Sequence, residues 1–229
     1  MINFPASKNK ILFFRLIFFT IITSIIFYLY PRLDILVSRI FFSLPDGFLA
    51  SHNILIAKIH QLIPWLGIAM FVVSVAALVL DRFKLIRVRK IMQLNITCFS
   101  LVLFFGLLIV INGVIKEYSG RARPYQIVEF GGSLKFTPPL KFSDQCHSNC
   151  SFVSGHAATG FALLSLGLFG SSTYRRKLWY FGICSGTVLG LIRIAQGGHF
   201  LSDIVYSFIV ITMTSVLLSA FMRIRIHKS

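Results

Sequence analysis

Three groups of side chains in this 229-residue chain have the types and the spacing to handle a phosphate. Lys116 precedes Arg123-Pro124; Ser154-Gly155-His156 opens an apolar stretch; Arg193, His199 and Asp203 follow one another closely. A phosphoryl group in transfer spreads negative charge over its equatorial oxygens, so fixed cations and N–H donors are the main catalytic need. Lys116, Arg123 and Arg193 supply the cations. Ser154, Gly155 and His156 are expected at a helix N-terminus, where unpaired backbone N–H groups and the helix dipole favour an anion. His199 and Asp203, four apart, are expected on one helix, so that their side chains share a face. The carboxylate can then take the Nδ1 proton and leave Nε2 free.

These residues need elements to hold them, and composition limits which. Hydrophobic residues make up 56% of the chain and include 24 Phe, more apolar surface than a soluble domain of this length can hide. Six apolar stretches run roughly 11–30, 63–80, 92–115, 157–170, 178–194 and 200–222. They are apolar all round rather than alternating, which favours helices over barrel strands. The fold class expected is all-α: a polytopic six-transmembrane-helix bundle in one domain, 1–229, with the reactive groups within 116–203.

The formal net charge of +16 has two readings. Nucleic-acid binding would need a soluble basic face, and the polar segments here are short loops, so no nucleic-acid partner is expected. The cations instead mark the inner face of a membrane protein. Lys8 and Lys10, then Arg82, Lys84, Arg87, Arg89 and Lys90, then Arg175, Arg176 and Lys177, and finally Arg223, Arg225 and Lys228 alternate along the chain so as to share one side. They are 13 of the 23 Lys and Arg, with Asp81 as the one acid among them. Both termini are therefore expected inside. The loops 31–62, 116–156 and 195–199, with every candidate reactive residue in or beside them, face outward. The first stretch is about as long as a span needs, and Tyr28-Leu29-Tyr30-Pro31 offers no small-residue cleavage site, so it reads as a retained span. The first outer loop (Leu33 to Phe42, then Ile54 to Ile56) reads either as paired interfacial helices framing a lipid entrance or as a partly buried connection.

Taken singly, each group has an ordinary explanation. A histidine near a membrane surface is commonly an interfacial polar residue, Arg193 could snorkel, and Lys116 and Arg123 could be loop charges. Taken together, K-x6-R-P, then S-G-H, then R-x5-H-x3-D resembles the three-part signature of the type 2 phosphatidic acid phosphatase superfamily, relatives of the vanadium haloperoxidases. The resemblance covers roughly 92–222. Val153 and Ile192 stand where the family often has Pro and Ser, positions without catalytic side-chain chemistry. The resemblance implies a haloperoxidase-like helical core and these roles: His199 as nucleophile oriented by Asp203, His156 as general acid and then base, and Lys116, Arg123, Ser154, Gly155 and Arg193 as the phosphate cradle. The wording around Arg121-Ala122-Arg123-Pro124, Glu129 to Gly132 and Cys146 to His156 resembles bacterial lipid A phosphatases, nearest the 4′ type. That implies a membrane lipid substrate, a bacterial inner membrane and a periplasmic site. Undecaprenyl pyrophosphate and phosphatidylglycerophosphate phosphatases share the signature. A transporter would place its ionisable residues at mid-membrane rather than at one face.

Other phosphatase chemistries lack their residues. There is no Cys–Arg spacing of a cysteine phosphatase and no Asp-x-Asp pair, and the outer acids are too scattered for a Mg²⁺ site, so neither metal nor cofactor is expected. Cys146 and Cys150 suit a disulfide in an oxidising compartment, with free thiols or a site with His147 as alternatives. Cys98 and Cys184 read as packing inside spans. Phe130, Phe136 and Phe142 form either a rim against lipid or the packing of their loop. Gly186 and Gly190 allow close helix packing.

Overall fold

The computed structural model describes residues 6–228, with side chains from residue 11 onward except Ser172 and 225–228. Lys8, Lys10, Arg225 and Lys228, four of the cations behind the expected orientation, lie outside the described side chains. The elements are α1 (Ala6–Leu29), α2 (Leu33–Arg39), a two-stranded hairpin of β1 (Phe42–Ser43) and β2 (Gly47–Phe48), and α3 (Ile54–Arg82). Next come α4 (Lys90–Leu101), continued as a π-helix over Val102–Ile115, and the short α5 (Lys116–Tyr118). Last are α6 (Gly155–Ala162), running on as a 3₁₀ turn (Leu163–Gly167), α7 (Ser172–Ala195) and α8 (Leu201–Lys228).

Among the described residues five helices are long and apolar enough to cross a membrane: Ile11–Leu29, Ile54–Arg82, Lys90–Tyr118, Thr173–Ala195 and Leu201–Ile224. The chain is an all-α, multi-pass membrane protein, but the expected count of six full spans is corrected. The fourth stretch forms only α6 and its 3₁₀ continuation, a length of about 22 Å at the usual rises per residue. That is short of the roughly 30 Å hydrocarbon layer. Protein rather than lipid surrounds it: α6 packs against α7, α8, α3 and the π-helix, and every residue from Ala157 to Ala162 is buried. Small residues permit this. A Cβ on Gly160 would lie 2.6 Å from the backbone of Gly186, and one on Gly186 would strike the Phe161 ring. The close packing expected at Gly186 therefore has α6 as its partner.

The first outer loop also differs from expectation. Ile54, Leu55 and Ile56 belong to the first turn of α3, capped by the Asn53 side chain, so only α2 is a separate helix there. Antiparallel pairing sets Phe42 opposite Phe48, and both rings meet Phe130 with centroids 5.1 Å away. With Ala122, Ile127 and Phe200 they form a second small core at one end of the bundle. It buttresses two stretches that no helix holds, 121–123 and 196–200. At the other end Arg175 and Arg176, two of the cations expected to share a face, line one groove with Arg15.

Candidate active site

The three cations expected to form a phosphate cradle come from three separate places. Lys116 closes the third span, buried, with Nζ donating to Asn149 Oδ1 at 2.8 Å. Arg123 precedes a 3₁₀ turn begun by Pro124, whose fixed φ suits that position, and donates to the carbonyls of Gly198 (3.1 Å) and Asn149 (2.7 Å). Arg193 lies near the C-terminal end of α7 and donates to Gln196 Oε1 at 2.6 Å. Its guanidinium occupies the space where a side chain on Gly198 would be, since a Cβ there would stand 2.1 Å from Nη2. Among the described residues none of the three has a carboxylate partner. They converge on two adjoining cavities. One, of about 660 Å³, is lined by Arg123, Arg193, Gln61 and Tyr125. The other, of about 610 Å³, is lined by Lys116, Gly155 and His156 and runs on between α3 and the third span past Phe71, Leu103 and Leu107. His60 and Asn149 line both.

Ser154 caps α6, accepting from the Ala157 N–H at 3.4 Å, and Gly155 allows close approach: a Cβ there would lie 3.2 Å from Asn112 Oδ1. His199 is not on a helix. It sits in the connection before α8, while Asp203 is in the first turn of α8 and accepts the Phe200 N–H at 2.8 Å. The shared helical face expected from their spacing is replaced by a turn around that cap. The result is similar, with His199 Nδ1 3.5 Å from Asp203 Oδ2. That is longer than a good hydrogen bond, and Nδ1 makes none. Catalytic hydrogen bonds often tighten only around substrate. Both side chains are buried.

Asp203 is held by residues that spacing did not single out. Arg121, 1% exposed, donates from Nη1 to Asp203 Oδ1 (2.6 Å) and from Nη2 to Asp34 Oδ2 (2.7 Å). Its Nε donates to the Thr137 carbonyl at 2.9 Å, and its guanidinium lies 4.3 Å from the Phe200 ring. Ser151 Oγ donates to Asp203 Oδ2, and Ser202 donates twice to Asp34, from its N–H and its hydroxyl. One guanidinium thus spans two buried carboxylates and fixes the acid that faces His199. Asp34 comes from α2 and stands far from the signature in sequence. Burial pushes its carboxyl above the ordinary range despite the pull of Arg121.

The cations and burial act together on the histidines. Burial first, then Arg123, Arg193 and Lys116, hold His199 well below the ordinary imidazole value, so it is neutral at physiological pH with a lone pair to offer. His156 is likewise held down, to about 3, by burial and by Arg193, His60 and Lys116, although the His60 carbonyl pulls the other way. An arriving phosphate dianion reverses the sign of that environment and favours the protonated imidazole a general acid requires.

Cys146 and Cys150 form a disulfide, which leaves neither for a site with His147. The turn they close presents Asn149, whose Oδ1 stands between Lys116 and Arg123 where an anionic oxygen would fit. Cys98 is buried, whereas Cys184, expected to pack inside, is exposed on the outer surface of α7. Of the three loop phenylalanines, Phe130 is buried, Phe136 packs edge-on against Phe200, and Phe142 is 82% exposed. Among the described residues no group of three His, Cys, Asp or Glu could hold a metal ion.

The comparisons with known proteins bear on the same residues. The family model described as the PAP2 superfamily matches residues 95–226, a stretch that contains every candidate catalytic and phosphate-binding residue named from the signature. The chain belongs to the PAP2 superfamily. The lipid A 4′-phosphatase of Francisella tularensis subsp. novicida is 33% identical over 205 residues, covering 86% of this chain and 90% of that protein. The lipid A 4′-phosphatases of Rhizobium leguminosarum and Rhizobium etli are 38% and 37% identical over about half as much, covering 44% and 40% of their own lengths. No solved structure matches the chain.

Proposed function

We propose that this protein removes the 4′-phosphate of lipid A at the outer face of a bacterial inner membrane, through a phosphohistidine on His199. The observation that carries this reading is the convergence of Lys116, Arg123 and Arg193, none with a carboxylate partner, on the α6 N-terminus beside His199 and His156. The similarity along most of the chain to a lipid A 4′-phosphatase supports the substrate. The cavities support it too: the one beside Arg123 and Arg193 suits a phosphorylated sugar, and the other, with its apolar continuation, suits acyl chains. The cationic loops support an outward-facing site with both termini inside.

In the first step Nε2 of His199 attacks phosphorus, the bond from phosphorus to the ester oxygen breaks, and His156 gives its proton to the departing sugar oxygen. Lys116, Arg123, Arg193 and the α6 N–H groups hold the three equatorial oxygens. In the second step His156 takes a proton from water, whose oxygen attacks phosphorus, and the N–P bond breaks to release inorganic phosphate. Asp203 keeps the His199 proton on Nδ1 throughout.

The test is phosphate release by detergent-purified protein from lipid A, undecaprenyl pyrophosphate, phosphatidylglycerophosphate and phosphatidic acid, with EDTA present. Release from lipid A is expected to resist EDTA, to vanish in His199→Ala and to leave a product that mass spectrometry shows cut at 4′. Preference for undecaprenyl pyrophosphate would keep the chemistry and replace the substrate. Near-normal turnover by His199→Ala would exclude the phosphohistidine.

A further inference from the structure

α3 contains a proline, Pro64, in the run of helix that lines the site. In an α-helix each carbonyl accepts from the N–H four residues ahead, and proline has no N–H. The carbonyl deprived of that donor is the one on His60. Nε2 of His156 lies 2.9 Å from it. The His60 ring also lies flat against the His156 ring, with centroids 4.5 Å apart and planes at 9°. One residue therefore offers His156 both an in-plane acceptor and a stacking surface, and the residue four positions on leaves that acceptor available.

We propose that His60 and Pro64 are positioning residues for His156: the carbonyl freed by Pro64 fixes the neutral imidazole as the Nε2–H tautomer, so that Nδ1 is the nitrogen that exchanges protons with substrate and water. A carbonyl oxygen can only accept, so the hydrogen at this contact belongs to Nε2. The lone pair of neutral His156 then lies on Nδ1. When His156 acts as acid, the proton passed to the leaving oxygen departs from Nδ1, and the proton later taken from water returns there. The Nε2–H stays on the His60 carbonyl in both steps, as the orienting partner of a catalytic histidine holds one nitrogen while the other works. The stacked ring removes the remaining freedom of the imidazole plane. The charged and titratable groups that act on His156 are His60 from α3, Lys116 from the third span and Arg193 from α7, and it in turn acts on His199. None of these is an acid, so the backbone carbonyl takes the place that a carboxylate holds beside His199.

This rests on His156 acting as the general acid, yet its central readout does not depend on activity. In protein labelled with ¹⁵N-histidine, the long-range ¹H–¹⁵N pattern of His156, assigned by its loss in His156→Phe, should be that of the Nε2–H tautomer at pH 7.5. Pro64→Ala returns an N–H that competes for the His60 carbonyl. It should give His156 a mixed tautomer pattern, shift the acidic limb of the kcat profile and lower kcat about tenfold with KM within twofold. His60→Phe keeps both carbonyl and stacked ring, and should keep the Nε2–H tautomer. An Nδ1–H pattern in the wild-type protein would overturn the proposal, and so would an unchanged tautomer and kcat in Pro64→Ala. If the wild-type protein releases phosphate from no lipid, the functional reading fails, while the tautomer still decides the hydrogen bond.

Discussion

Arg121 offers the sharpest test of how the site is held. Replacing it with Met keeps most of its apolar length but leaves Asp34 and Asp203 buried without a cation, each having lost a hydrogen bond of 2.7 Å or less. Breaking a buried pair by removing one partner costs about 3–5 kcal/mol. At about 1.4 kcal/mol per decade, that lowers the folded-to-unfolded ratio by roughly two to three and a half orders of magnitude. Part of the loss is relieved if a carboxyl takes up a proton, and Asp34 is the better candidate because burial already pushes it up. The sign of the pH dependence follows. In Arg121→Met the Asp34 carboxyl, already raised by burial, keeps a folded pKa above its unfolded one, so the relief is fully present below the unfolded value and is lost as pH rises through the folded one. The variant is thus expected to sit closest to wild type near pH 5 and to fall furthest behind near pH 8. Adding Asp34→Asn should restore part of the stability, because one of the two orphaned charges is then gone. Activity should fall about 10- to 100-fold, less than for loss of Asp203 itself, since Ser151 and the Phe200 N–H still hold that carboxylate. Fluorescence-monitored unfolding in detergent across pH, with phosphate release from one lipid, measures both. Unfolding within about 0.5 kcal/mol of wild type at pH 8, together with undiminished release, would refute the view that Arg121 holds the Asp203 carboxylate in place.

Three further outcomes follow from the same geometry. Gly198→Ala puts a methyl where the Arg193 guanidinium lies, so kcat/KM should drop at least about tenfold with little change in Tm; unchanged kinetics would remove Arg193 from the cradle. Asn149→Asp sets a carboxylate between Lys116 and Arg123, which should raise Tm and raise KM about tenfold by competing with substrate phosphate; an unaltered KM would mean that phosphate sits elsewhere. His156 and His199 both have folded pKa values below the unfolded one, so the stability they contribute is present above about pH 6.5 and is lost as pH falls, for His156 down to about 3. Tm should therefore decline from pH 7.5 to 5, less steeply in His156→Phe, and equal slopes in the two proteins would contradict the low His156 value.

Hydrophobic runs, loop charge and the three-part signature determined, from sequence alone, that the chain is helical and membrane-spanning and that its candidate reactive groups lie near the ends of spans. Those properties are local. A run of about twenty apolar residues must satisfy its backbone within itself, and motif residues lie at the ends of the runs they interrupt. The fourth run, roughly 157–170, is short of that length, and its small residues, Ala157-Ala158-Thr159-Gly160, suit a helix packed on all sides. What only the tertiary structure decided depends on groups brought together from distant parts of the chain. Asp34 was merely one of seven acids, and Arg121 merely a cation two residues before Arg123, until folding placed a single guanidinium between two buried carboxylates. Asn149 gave no signal beyond its place between two cysteines. Pro64 lay at the start of an ordinary apolar run. The carbonyl it frees acquires a role only where α3 passes α6, because a hydrogen bond between residues 60 and 156 is fixed by the distance between two helices and by no spacing along the chain.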